Sequence, residues 1–225
     1  MTELEALNAR HSVRKYKDIP IEAEKASAIK AVIDECNQES GLNIQLILDD
    51  PKCFDTLMNH YGWFSNVKNY IALVGDKSLK NLEELCGYYG QKILLACQMQ
   101  GLNSCWVAGT YKKGKCQASL TKNQKIVCVI ALGYGENQGS QHKSKPLDKV
   151  CNLHGEDFEK SPDWFKEGVW AARKAPTAVN QQKFFVTFDE KTQTADIQAK
   201  RGPNSKIDLG IVKYNFEVAS GKKIF

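Results

Sequence analysis

Twice in this chain a helical stretch runs into a small hydroxyl residue, followed by Asn three positions on, Gln five positions on, and then an apolar strand. The first copy is Ser40, Asn43 and Gln45 in "ESGLNIQLIL"; the second is Thr177, Asn180 and Gln182 in "APTAVNQQKFF". An ordered repeat of this kind restricts the fold to one assembled from two similar helix–turn–strand units. The copies are unequal, because only the second adds Pro176 and replaces Ser by Thr.

The remaining segments supply the elements around those turns. "ELEALNARHSVRKY" predicts a short helix breaking into a basic loop, and "IEAEKASAIKAVIDECNQ" a helix with Ile21, Ala28, Val32, Ile33 and Cys36 at helical spacing. Strand "NIQLILD", helix "PKCFDTLMNHYG" and strand "YIALVG" follow, then the long helix "NLEELCGYYGQKILLACQMQG", for which Gly101 is the stop. "CWVAGTY" reads as a bend, and the unbroken apolar run of "KIVCVIALGYGE" as a fully buried strand. The polar segment "NQGSQHKSKPLDK" is the one shift in composition and marks a linker. Beyond it come helix "SPDWFKEGVWAARKA", hairpin strands "KFFVTF" and "ADIQAK", and a last helix, "SKIDLGIVKYNFEVASG". A late helix in each half carries a glycine, Gly87 or Gly210, ahead of a bulky apolar stretch. The expected class is α+β, with helices covering both faces of the sheet and two halves over residues 1–150 and 151–225.

Composition narrows the function. With 42% apolar residues the chain can fill a large core. The net charge of +5 is spread in small clusters, whereas a nucleic-acid binder concentrates it on one face. No apolar run reaches the ~18 residues of a membrane helix, and the N-terminal stretch has no signal-like apolar segment. Eight cysteines lack any C-x-x-C spacing and do not pair closely with the four histidines. Free thiols in a reducing cytoplasm, without a metal site, are therefore expected.

Three stretches can carry chemistry. In "RHSVRKY" the side chains of Arg10, Ser12 and Arg14 alternate, so an extended loop points all three one way, toward a phosphate or planar anion. A solvated basic turn has the same composition. Lys143 and Lys145 repeat the alternate spacing after a strand. Ala108 and Gly109 in "WVAGTY" are small enough to let a flat ligand approach backbone N–H groups, although a tight connection needs the same residues. There is no G-x-G-x-x-G, Walker loop, G-x-S-x-G elbow or H-E-x-x-H.

Together these segments resemble the FMN-dependent nitroreductase family. The Arg-x-Ser-x-Arg loop is matched by Arg10, Ser12 and Arg14, with His11 inside it. The Pro-Ser-x-x-Asn-x-Gln turn is matched by Pro176, Thr177, Asn180 and Gln182, and the Gly-Tyr … Lys-x-Lys-Pro-Leu segment by "LGYG" and "KSKPL". "GLNSCWVAG" resembles a fourth family segment. The order departs from ordinary members, in which the complete turn lies early, where "ESGLNIQ" stands here. Ordinary members are dimers in which one subunit supplies the loop and the other the turn. The chain is therefore similar to the single-chain subgroup, in which two pseudo-symmetric halves form an internal pseudo-dimer and the chain is a monomer.

The resemblance implies a nitroreductase-like fold of mixed sheets flanked by helices, with one FMN. Arg10, Ser12, Lys145 and Lys143 hold its phosphate, and Arg14 lies nearer the ribityl chain and pyrimidine edge. The amides of Ala108 and Gly109 face the flavin, and Thr177 and Asn180 reach it from the other half. It further implies NAD(P)H as donor, small nitroaromatics or quinones as acceptors in a ping-pong exchange, and no catalytic side chain. The same fold also hosts dehalogenases and flavin-fragmenting enzymes, and a basic adaptor without cofactor is the non-enzymatic alternative.

Overall fold

Residues 1–60 and 63–224 are described in the computed structural model. α1 (Glu3–Ala9) stops at Arg10, where the chain becomes extended. α2 (Ala23–Ser40) buries Ile29, Ile33 and Cys36 on one stripe and is closed by Gly41, whose φ of 71° only glycine adopts at no cost. β1 (Gln45–Ile47) follows. The helix expected over "PKCFDTLMNHYG" is broken. A 3-10 turn, Pro51–Phe54, is capped by Asp50, and α3 (Leu57–His60) restarts after Thr56, whose Oγ1 accepts the Asn59 N–H at 3.2 Å. Two short polar side chains each begin a turn of their own, so no single helix propagates. Tyr61 and Gly62, the end of that expected helix, lie outside the described residues.

β2 (Asn69–Asp76), α4 (Leu82–Met99), β3 (Asn103–Val107) and β4 (Gln124–Gly133) complete the first set. Gly101, at φ 76°, ends α4 as expected. β3 corrects the reading of "CWVAGTY" as a bend throughout. Cys105, Trp106 and Val107 pair with Ala131, Ile130 and Val129 of β4, and the bend begins only at Ala108. β-Branched and aromatic side chains suit a pleated surface, and the waiting edge of β4 decides for strand. The chain continues with α5 (Glu156–Lys160), α6 (Asp163–Ala172), β5 (Phe184–Asp189), β6 (Thr194–Ala199) and α7 (Ser205–Ser220).

Two compact units result. One gathers Ala9–Leu82 and Lys92–Gln141 with Met1; the other gathers Thr2–Asn8, Glu83–Gln91 and the chain from His142 onward. In the first, four strands run antiparallel in the order β1-β2-β4-β3. Tyr70, Ala72 and Val74 of β2 join Val129 and Ala131 of β4 in one apolar cluster, while the intervening Ile71 and Leu73 are equally buried. Period-two alternation therefore shows a sheet with both faces covered. Parallel pairing occurs among the described residues as isolated bridges, Ser12–Ser104 and Lys15–Ser65 here and Cys151–Val186 in the second unit.

The second unit packs the β5–β6 hairpin with α6 and α7 around Phe158, Phe165, Phe188 and Phe216, with the Phe165 and Phe188 rings 4.7 Å apart. The first half of α4 crosses α7 in backbone contact. A Cβ on Gly210 would lie 2.1 Å from Glu84 O, and one on Gly87 2.0 Å from Ile207 O. The two glycines that recur before apolar stretches in the sequence thus form one crossing. Beside it, buried Gln91 Nε2 donates to Asn215 Oδ1 at 2.9 Å, and Asn215 Nδ2 to Ala171 O at 3.2 Å.

Candidate functional site

Each unit carries one group of the residues singled out in the sequence. In the first, the basic loop lies against β3, the last strand of the sheet. Val13 N–H donates to Ser104 O at 3.0 Å, and Ser65 N–H to Arg14 O at 3.0 Å. Gly139 packs on the loop's other side, where a Cβ would come within 2.7 Å of the His11 Cβ. Arg10, Ser12 and Arg14 of the extended loop all act on the Cys105 thiol. Burial pushes this thiol up, while Arg14, Arg10 and a hydrogen bond from Ser12 oppose the shift.

The three side chains are not equivalent. Arg14 is exposed, whereas Arg10 is 6% exposed and its Nη1 has no hydrogen-bond partner among the described residues. Burial lowers the Arg10 guanidinium to about 10, so it remains cationic at neutral pH. The buried Ser104 Oγ is also without a partner among the described residues. Past β3, Ala108 and Gly109 are exposed, and nothing lies within 4 Å of the position a Gly109 Cβ would take.

In the second unit the turn is strained. Val179 (φ 47°), Asn180 (φ 54°) and Gln182 (φ 43°) all occupy the left-handed region, and Val179 is 91% exposed at the apex. A β-branched residue there is a genuine outlier and persists only where its surroundings impose it. Thr177 Oγ1 accepts the Gln182 N–H at 3.0 Å. Asn180 Nδ2 and Gln182 Nε2 both donate to Lys143 O, at 3.0 and 2.9 Å, and Gln182 Oε1 accepts the Lys145 N–H at 2.8 Å. Lys145 Nζ donates to Gln181 O at 2.7 Å, and Lys143 is exposed. Pro176 fixes the approach to Thr177.

A family model described as "Putative TM nitroreductase" matches residues 3–220. The chain belongs to that nitroreductase family. A "putative nitroreductase" of Thermotoga maritima shares 20% identity with this nitroreductase, covering 97% of this chain and 83% of its own, at a TM-score of 0.66. A "putative nitroreductase in complex with fmn" from Desulfovibrio desulfuricans shares 20% identity over 69% of this chain and 98% of its own, at 0.53. A "Putative NADH dehydrogenase/NAD(P)H nitroreductase" of Parabacteroides distasonis shares 23% over 68% and 96%, at 0.52. These likenesses show the fold. No curated protein sequence matches the chain.

The nitroreductase chain offers a fit for an anionic cofactor in its first unit, where one nitrogen of the buried Arg10 guanidinium has no partner among the described residues and the bend at Gly109 leaves open space. Sequence reasoning missed two residues that support these groups. Ser104 is the backbone partner of the loop. Asp208, 3% exposed on α7, accepts the Ala178 N–H at 2.9 Å and Gln181 Nε2 at 2.7 Å, thereby holding the strained turn. An Asp in the first turn of a helix looks like ordinary helix chemistry, and nothing in the sequence marks it as the partner of a turn thirty residues earlier. Among the described residues no group of His, Cys, Asp and Glu could hold a metal, and no helix is long and apolar enough to cross a membrane.

Proposed function

We propose that this chain is an FMN-dependent oxidoreductase that accepts two electrons from NADH or NADPH and delivers them to small nitroaromatic or quinone-type molecules. Arg10 carries the reading. A buried guanidinium whose Nη1 has no partner among the described residues, beside a second arginine and a serine, is costly unless an anion pairs with it. A phosphate matches the guanidinium fork with charge-assisted hydrogen bonds. FMN supplies the two-electron chemistry when bound.

The chain's own residues then bind and orient. Arg10 and Ser12, with His11 between them in the loop, lie at the phosphate end together with Lys145, and Arg14 places positive charge near the pyrimidine edge. The N–H groups of Ala108 and Gly109 lie along the open bend. The family resemblance assigns Lys143, Lys145, Pro176, Thr177, Asn180 and Gln182 to the same cofactor.

The test is direct. The purified protein should be yellow, and its absorption should bleach on adding NADH or NADPH and recover with a quinone. Arg10→Ala should weaken FMN binding roughly ten- to a hundredfold, the loss of a charge-assisted contact worth about 1.5–3 kcal/mol. An unchanged affinity in a fluorescence titration removes the loop from the cofactor site, and a colourless protein that does not take up FMN overturns the reading.

A further inference from the structure

Cys53 and Cys116 are far apart in sequence, yet the first unit brings them together. Cys53 lies in the 3-10 turn Pro51–Phe54, and Cys116 directly follows the 3-10 turn Lys113–Lys115. The two turns pack on one another, tied by the Lys112 N–H donating to Cys53 O at 2.7 Å. Both cysteines belong to one apolar cluster, Cys53 inside it and Cys116 packed against it, and each thiol acts on the proton affinity of the other. Cys53 is fully buried and Cys116 half-buried, so Cys116 is the more accessible of the two residues.

The groups facing the pair make the two thiols unequal. The contact with Cys53 lowers the Cys116 thiol from its ordinary range, and the same contact together with burial pushes Cys53 up. Tyr70 also faces Cys116. Its hydroxyl donates to the buried Asp50 Oδ2 at 2.5 Å and accepts the Gln117 N–H at 3.0 Å. Asp50 opposes ionisation of Cys116, but more weakly than the Cys53 contact favours it. Tyr111, pushed up mainly by burial, is a further ionisable neighbour of both sulfurs. A more accessible cysteine of lowered proton affinity beside a buried one is the arrangement that directs oxidation to one sulfur and resolution to the other.

We propose that Cys116 and Cys53 form an oxidisable pair, in which Cys116 attacks a hydroperoxide and Cys53 closes a disulfide with it. In the first step the Cys116 thiolate takes the outer peroxide oxygen. The O–O bond breaks, the alkoxide or hydroxide leaves and is protonated, and Cys116 becomes a sulfenic acid. In the second step Cys53 attacks that sulfur. The S–O bond breaks, and the departing hydroxide takes the Cys53 proton and leaves as water. Two thiols lose two electrons in total, and one hydroperoxide is reduced to an alcohol or water. The flavin takes no part, so the pair and the flavin reading stand or fall separately.

The test uses the full chain, reduced and freed of reductant, with one equivalent of hydrogen peroxide. Remaining thiols are alkylated and the peptides mapped by mass spectrometry. Two of the eight thiols should be lost, with Cys53 joined to Cys116 in one cross-linked peptide, and dithiothreitol should restore both. In Cys53→Ala, dimedone should trap a sulfenic acid on Cys116. In the wild type without peroxide, iodoacetamide should alkylate Cys116 with a midpoint below the pH of ~8.5 typical of a free thiol. If all eight thiols survive, or another cysteine oxidises first, the assignment is wrong. The wild-type peptide map decides even if the variant does not fold.

Discussion

Arg10 and Asp208 are both buried and ionisable, and burial acts on them in opposite directions. It lowers the pKa of the guanidinium and raises that of the carboxyl. For Asp208 it outweighs the hydrogen bonds from Gln181 and Ala178 and moves the carboxyl up to about 6. The folded chain therefore binds this proton more tightly than the unfolded chain, whose carboxyl titrates near ~3.9. The sign follows: stability contributed at this site is greatest below about pH 4 and declines as pH rises toward about 6, after which it is flat. A shift of this size corresponds to at most about 3 kcal/mol. Urea unfolding of the wild type and Asp208→Asn across that range should show the wild type losing stability relative to the variant as pH rises. Parallel curves would show that the two hydrogen bonds fully compensate for burial.

Among the elements, the two copies of the turn do the same work with different strain. In the first, Asn43 Nδ2 and Gln45 Nε2 both donate to Ser119 O, at 3.3 and 2.8 Å, and Gln45 Oε1 accepts the Ser119 N–H at 2.8 Å. The second copy grips Lys143 O and the Lys145 N–H in the same manner. Each Asn/Gln pair therefore ties a passing extended segment to its own helix–strand unit. The copies differ at the start. Ser40 bonds back to Cys36 O and Gly41 supplies the left-handed residue, whereas the second copy forces Val179 into that conformation. The helix crossing at Gly87 and Gly210 sets another strict limit. Gly210→Ala places a methyl against backbone atoms of α4 that cannot rotate away, and it should cost about 3 kcal/mol or more. Chemical denaturation checks this, and a change below about 1 kcal/mol would mean that the crossing can open.

At the scale of the whole molecule, the features the resemblance assigns to the flavin each occur once. The Arg10 loop and the Ala108–Gly109 bend belong to the first unit, and the Lys143–Lys145 segment and the strained turn to the second. Scanning residues 151–225 finds no second Arg-x-Ser-x-Arg loop. One FMN per chain of 25.2 kDa is the expected stoichiometry. Flavin released by heat, measured against protein with light scattering in parallel, should give a ratio near one on a monomer. A ratio near one-half would exclude that stoichiometry, and binding only in a two-chain species would exclude a monomer as the binding form.

The sequence by itself determined the elements whose signals are local. The uninterrupted apolar residues of β4 read as a buried strand wherever they are placed, Gly101 stops α4 through its own backbone freedom, and alternation along Arg10, Ser12 and Arg14 points three side chains one way. The family was legible for the same reason, since its motifs are short runs with fixed spacing. Tertiary structure alone decided what depends on partners distant in the chain. Cys105–Val107 became a strand because β4 offered an unpaired edge, and Asp208 became the anchor of the strained turn because α7 docks beside it. Cys53 met Cys116 because two 3-10 turns pack together. Hydrogen bonding, burial and proton affinity are set by whichever groups are neighbours in space, and one-dimensional spacing carries no record of neighbours brought together only by folding.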